Sequence, residues 1–177
     1  QALANLRRFS LISHGSDRAT LQIHRIVQDV LSDTLTSEQQ RDWARQAVLL
    51  VNAVFPEVAF EAWTDCERYL PQAQHCATLI DDFQLTLQEG ALLLERLGFY
   101  CSQRALFTEA ARYLTQALSL YEDHLGTNSI EAAEALSSLA LLYAQEARYQ
   151  EAEELQQRAL KLREQLCGPD DPLTVES

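Results

Sequence analysis

The sequence contains no methionine. With no start residue represented, and with Thr174-Val175-Glu176-Ser177 resembling the opening of one more copy of a repeat, the chain is expected to be a fragment of a longer protein. It also lacks any apolar run of about eighteen residues and any basic-then-apolar leader, so neither a membrane span nor a signal peptide is expected. Cysteine is scarce. The four present, Cys66, Cys76, Cys101 and Cys167, follow no close pairing motif, which favours reduced, mostly buried thiols in a cytoplasmic protein.

Signatures of chemistry are missing as well. No Gly-rich phosphate loop closing on Lys and Ser or Thr occurs, so these residues hold no ATPase core. There is no Gly-x-Ser-x-Gly elbow and no His-Glu-x-x-His pair. Cys66, His75 and Cys76 fit no zinc-finger spacing and lack a fourth ligand. Asp81-Asp82 and Glu122-Asp123 are carboxylate pairs at helix ends of an acidic chain, where solvation is the ordinary fate. No residue is read as catalytic and none as a metal ligand, and this segment by itself is not expected to be an enzyme.

Positive charge is also in short supply, with 14 Lys and Arg against 26 Asp and Glu and a net charge of −12. The segments 1–35, 36–85 and 86–177 carry +1, −5 and −8. Such a surface repels phosphate backbones and anionic lipid heads. Nucleic acid and membrane are not expected partners, and a basic or neutral protein suits the charge better.

What the sequence does have is a repeat of itself. Leu139 to Gly168, shifted back by 42 positions, falls on Leu97 to Gly126. Leu97, Gly98, Phe107, Ala110, Ala117, Leu118 and Gly126 match Leu139, Ala140, Tyr149, Ala152, Ala159, Leu160 and Gly168. Small residues at fixed points of two consecutive helices let them cross closely, and the large ones fill the space beside them. A unit that cannot bury its apolar face alone stacks on its own copies. The spacing predicts helix pairs over about 85–103 with 107–124 and 130–146 with 149–166, with Gly126-Thr127-Asn128 and Gly168-Pro169-Asp170-Asp171-Pro172 closing the second helix of each pair.

Leu136, Leu139, Ala140, Tyr143, Tyr149, Ala152, Ala159 and the closing Leu166-Cys167-Gly168-Pro169-Asp170-Asp171-Pro172 resemble the tetratricopeptide repeat, in the 42-residue form of kinesin light chains. Gln156, where that family prefers an aromatic, and Cys101, where the other copy has Tyr143, are departures. The resemblance implies an α-α superhelix over residues 85–177, two repeats and the start of a third. It also implies a concave groove lined by the first helix of each pair. The matching groove positions are Glu95, Phe99 and Ser102 in one copy and Ser137, Leu141 and Ala144 in the other. Chaperone-binding members of the family place cations there to grip a terminal carboxylate. These six include none, so that ligand class is rejected, and a mixed apolar and hydroxyl groove for a helix or an extended peptide is expected.

The first 35 residues read differently. Leu3 and Leu6 end one helix, and residues 9–13 and 19–24 form a β-hairpin around His14-Gly15-Ser16-Asp17. Arg25 to Leu35 return to helical spacing. The order resembles the back half of a winged-helix domain. Leu21-Gln22-Ile23-His24-Arg25-Ile26-Val27-Gln28 further resembles the segment after the hairpin in signal-transducing ATPases with an NB-ARC module. Many bacterial members of that group end in tetratricopeptide repeats. In that group a Met-His-Asp motif sets its His against the β-phosphate of ADP. Ile23, His24 and Arg25 stand there in this chain, with Arg25 in place of the acid. The resemblance makes His24 a nucleotide-sensing residue in the intact parent, where ADP or ATP is the implied cofactor; the fragment itself is expected to need none. A histidine at such a junction can donate to an anionic phosphate, and otherwise it caps or packs there.

Between the two lies a helical adaptor, residues 36–84. Ser37 is read as a cap with Gln40, and Trp43, Ala47, Val48, Leu50, Val51, Val54 and Phe55 as an apolar face ended by Pro56. A helix follows from about Val58 to Leu70, and Pro71 opens a new turn. Trp43 and Trp63 are expected as core anchors. Together these readings describe a regulatory, protein-interacting segment of an NB-ARC-type ATPase, with self-association of the parent as a further expectation. The alternative is a plain repeat scaffold with no nucleotide link.

Overall fold

The computed structural model describes residues 12–14, 21–23, 25–59 and 62–167. The chain forms two compact units, 1–43 and 44–177. In the first, strands β1 (Ile12–His14) and β2 (Leu21–Ile23) pair antiparallel in the register Ile12↔Ile23, Ser13↔Gln22, His14↔Leu21. Helix α1 follows at Arg25–Thr34. Two short strands and one helix do not by themselves make a winged-helix unit, and His24 lies outside the described residues, as do residues 1–11 and the 15–20 link.

Helix α2 runs from Ser37 to Val54. Its start is a reciprocal cap one residue earlier than Ser37 with Gln40. The Thr36 N–H donates to Gln39 Oε1 at 2.9 Å, and the Gln39 N–H donates to Thr36 Oγ1 at 3.3 Å. The expected apolar face holds only in part, because it merged two neighbouring faces of the helix. Ala44 and Val48 are buried and Val51 partly so, with Phe55 just past the helix end also buried, whereas Trp43, Leu50 and Val54 are exposed. Both sets keep helical spacing, and the sequence alone cannot choose between adjacent faces. Trp43, 66 % exposed, is therefore no core anchor.

Helix α3 (Trp63–Asp82) is continuous through Pro71. The break expected at that proline does not occur. Cys66 before it and Ala73, Cys76, Ala77 and Ile80 after it share one buried face, and that packing outweighs the loss of one backbone donor. Trp63 is only half buried, with the Arg104 guanidinium 5.9 Å from its ring centre.

Four helices then repeat as two pairs: α4 (Gln88–Gln103) with α5 (Phe107–Leu125), and α6 (Ile130–Gln145) with α7 (Tyr149–Cys167). All four boundaries recur 42 residues on, at 88/130, 103/145, 107/149 and 125/167. The spacing read from small residues is thus the spacing of the backbone. Leu93, Leu94, Leu97 and Tyr100 of α4 and Leu114 of α5 are fully buried, as are Leu136 and Leu142 of α6. Each such leucine contributes roughly 2 kcal/mol of burial. Ala110, Ala117 and Ala159 are wholly buried, and Ala140 and Ala152 nearly so. The helices cross closely at Gly98, where an added Cβ would sit 2.7 Å from Leu114 Cγ and 3.3 Å from the Ala110 carbonyl oxygen.

The turns inside the pairs fall where the expected helix limits put them, but their backbone conformation was not legible. Ala105 (φ 56°) and Ala147 (φ 59°) take the left-handed conformation usually given to glycine, again 42 residues apart. The Leu106 N–H then bonds the Cys101 carbonyl and the Arg148 N–H the Tyr143 carbonyl, both at 2.9 Å, closing the helix ends. Between the pairs Gly126 does have positive φ, 89°. Ser129 caps α6, its Oγ accepting from the Ala132 N–H at 3.1 Å.

Candidate functional site

Helix α4 has two faces because its apolar residues do not all fall on one. Leu93, Leu94, Leu97 and Tyr100 go inward. Leu92, Glu95 and Phe99, at i, i+3 and i+7, share the other side. They line a cavity of about 240 Å³ with Val58, Glu57, Arg96 and Ser138. Phe99 is 40 % exposed, too much for a core ring.

Glu95 is the chemically distinctive group of this cavity. It is half buried, and its Oε2 accepts from the Tyr121 hydroxyl at 3.1 Å. Burial pushes its carboxyl above the ordinary range, and the nearby Glu134 adds to the rise, while the Tyr121 bond and the Arg96 charge work against it. The same burial, with the Glu95 charge beside it, raises the Tyr121 phenol well above its usual value, so it stays a donor. Arg96 does not pair with the carboxylate. Its Nη1 donates to the carbonyls of Asn52 and Phe55, both at 3.3 Å, at the end of α2. Among the described residues neither Glu57 nor Glu95 has an ion-pair partner.

The equivalent part of α6 opens a second cavity of about 440 Å³, lined by Ser137, Ala140, Leu141 and Ala144 with Ala152, Glu153 and Gln156 of α7. Leu141 is 55 % exposed. Gln156, at the position where the tetratricopeptide family prefers an aromatic, lines this wall. The Ser137 hydroxyl is buried without a hydrogen-bond partner among the described residues. Of the six predicted groove residues, Glu95 and Phe99 thus line one cavity and Ser137, Leu141 and Ala144 the other. Ser102 lines neither; its Oγ donates to Gln145 Oε1 at 2.9 Å and ties α4 to α6. Sequence reasoning missed Glu57, Val58 and Leu92, which belong to no repeat position or to one not considered.

No group of three metal-ligating side chains assembles among the described residues. The thiols of Cys76 and Cys101 are pushed up to about 11 by burial, which suits packing rather than reactivity. No described helix is long and apolar enough to cross a membrane.

Residues 132–173 match the tetratricopeptide repeat family. This repeat takes in most of α6 and all of α7, the pair that forms the larger cavity, and α4 with α5 copies it in every boundary. Residues 1–40 match a second family, described as a domain of unknown function (DUF7779). Among curated proteins, the chain is similar to a nucleotide-binding leucine-rich repeat (NLR)-like protein of Hyaloscypha variabilis (strain UAMH 11265 / GT02V1 / F), at 31 % identity over 130 residues. That match covers 71 % of this chain and 13 % of the relative, so the chain spans a small part of that protein's length. Among solved structures, BtubC (BKLC) from P. vanneervenii superposes with a TM-score of 0.55 at 14 % identity, covering 80 % of this chain and 63 % of that one. At that identity the likeness speaks for the helical solenoid fold alone.

Proposed function

We propose that this chain is a regulatory and protein-interaction segment of a larger NB-ARC-type signal-transducing ATPase, with the tetratricopeptide repeats holding a protein or peptide partner or trigger. The observation that carries the reading is the pair of open cavities on the first helices, α4 and α6, walled by the exposed Phe99 and Leu141. Apolar side chains left at equivalent places on successive helices form a strip that a helix or an extended segment can cover. The similarity of the chain to an NLR-like protein supports the link to a nucleotide-binding parent.

On this reading residues 1–35 are the end of a winged-helix domain, and His24 responds to ADP held by the rest of the parent. The wording of residues 21–28 supports that role. The segment alone has no catalysis to perform, and it works in the cytoplasm. Selection of a random twelve-residue peptide library on the 177-residue protein tests the interaction role. Peptides should be recovered, and Leu141→Glu should abolish their binding without lowering the melting temperature by more than a few degrees. Peptides that bind the Leu141→Glu variant equally well would overturn the groove. The nucleotide link is tested separately, by ADP retention in the full-length protein with His24→Ala.

A further inference from the structure

We infer that the cavity at Phe99 receives a lysine or arginine side chain of the bound segment, its charge held by Glu95; this rests on the groove reading above. The cavity is built for a long side chain with a cationic end. Its walls, Leu92, Val58 and Phe99, are apolar and suit a methylene stem. Its polar floor is a carboxylate that burial has already stripped of much of its water. A carboxylate in that setting is costly unless a cation or several donors answer it, and among the described residues Glu95 has a single hydrogen-bond donor, Tyr121.

Arg96 lines the same cavity and its charge partly offsets that cost, but it forms no ion pair with the Glu95 carboxylate. Arg96 spends its Nη1 on two backbone carbonyls. Glu57 at the rim and Glu134 nearby make the local field more negative still. The Phe99 ring, 40 % exposed at the same cavity, offers a face to a guanidinium or ammonium. A partner carboxylate is repelled by Glu95 and Glu57, and a purely apolar side chain would leave Glu95 with no ion-pair partner in the filled cavity. Tyr121 fixes the carboxylate from behind, so the site is held in place before the partner arrives.

The test uses the peptides selected from the random twelve-residue library. They should be enriched in Lys or Arg at one position, and replacing that residue by citrulline or norleucine should weaken binding about tenfold or more. Glu95→Gln should weaken the same peptides to a similar degree and leave the citrulline versions nearly unaffected, while Glu57→Gln should have a smaller effect. Affinity should also fall with added salt. Peptides that need Leu141 but show no basic preference, or that bind Glu95→Gln as tightly as the original, would overturn this inference and leave the groove standing. Failure to select any peptide would overturn both. Thermal unfolding of Glu95→Gln guards against a trivial loss, because that variant is expected to be at least as stable as the original chain.

Discussion

Gly98 offers the sharpest test of how the repeats pack. A methyl group added there would lie 2.7 Å from Leu114 Cγ and 2.9 Å from Leu114 Cδ2. Comfortable carbon contacts begin near about 3.5 Å, so the two helices must separate by roughly 0.8 Å or Leu114 must leave its rotamer. Leu114 is only 2 % exposed and meets the methyl at its branch point rather than a flexible tip. The Ala110 carbonyl at 3.3 Å closes the other direction. Overpacking of this kind costs about 1–3 kcal/mol, against which alanine returns roughly 0.8–1 kcal/mol of helix propensity. Gly98→Ala should therefore destabilise by about 1 kcal/mol net, or about 2–4 °C in melting temperature for a chain of this size. Gly90→Ala is the control, since its methyl meets the end of the Ile80 side chain at 3.2 Å. It should be neutral or mildly stabilising, and the difference between the two variants largely cancels propensity. Adding Leu114→Ala to Gly98→Ala should cost less than the sum of the singles, with a coupling of about 0.5–3 kcal/mol in urea unfolding. If Gly98→Ala stabilises the chain as much as Gly90→Ala does, the close crossing is wrong.

Four further outcomes follow from the same structure. Ala110→Leu should destabilise by about 1–3 kcal/mol and Ala111→Leu by much less, because Ala110 is wholly enclosed whereas Ala111 is partly open beside Arg112 and Thr115; equal thermal shifts would contradict the helix phase. Ala105→Gly and Ala147→Gly should each stabilise by about 0.5–1 kcal/mol in denaturant unfolding, since both alanines sit at positive φ. Glu95 has a folded-state pKa above its ordinary 4.5, so its contribution is fully present below that value and is lost as pH rises through the raised one. Glu95→Gln should thus melt higher than the original chain at pH 7, with the gap narrowing toward about pH 4. Cys167 should be alkylated first at pH 8 in the native protein, with Cys76 and Cys101, held near 11 and buried, reacting only on unfolding; simultaneous labelling would refute the burial.

The solenoid was legible in the sequence because its signal is a period. Small residues at Gly98, Ala110 and Ala117 recur 42 positions on, and helix boundaries must follow wherever such contacts repeat. The left-handed alanines were not legible, because the fold imposes that conformation against the residue's own preference. The face of α2 was only partly legible for a different reason. Val48, Val51 and Phe55 of the expected face are the ones that go inward, but Trp43, Leu50 and Val54 keep a similar helical spacing beside them, and their size placed them wrongly in the same face. Pro71 misled because local chemistry argues for a break while the buried face around it argues for continuity. Repeat position singled out Phe99 and Leu141 as groove residues, and both are exposed. It could not show that Glu95 is half buried, or that Arg96 is drawn away to the end of α2, since both depend on contacts more than 20 residues away in the chain.

The claim that the first helices of the repeats hold the partner is tested most directly by amide hydrogen exchange of the 177-residue protein with and without a selected peptide. Slowed exchange should concentrate in residues 92–102 of α4 and 137–144 of α6, the stretches that carry Glu95, Phe99, Ser137 and Leu141. Protection confined to α5 and α7, with α4 and α6 unchanged, would contradict the account.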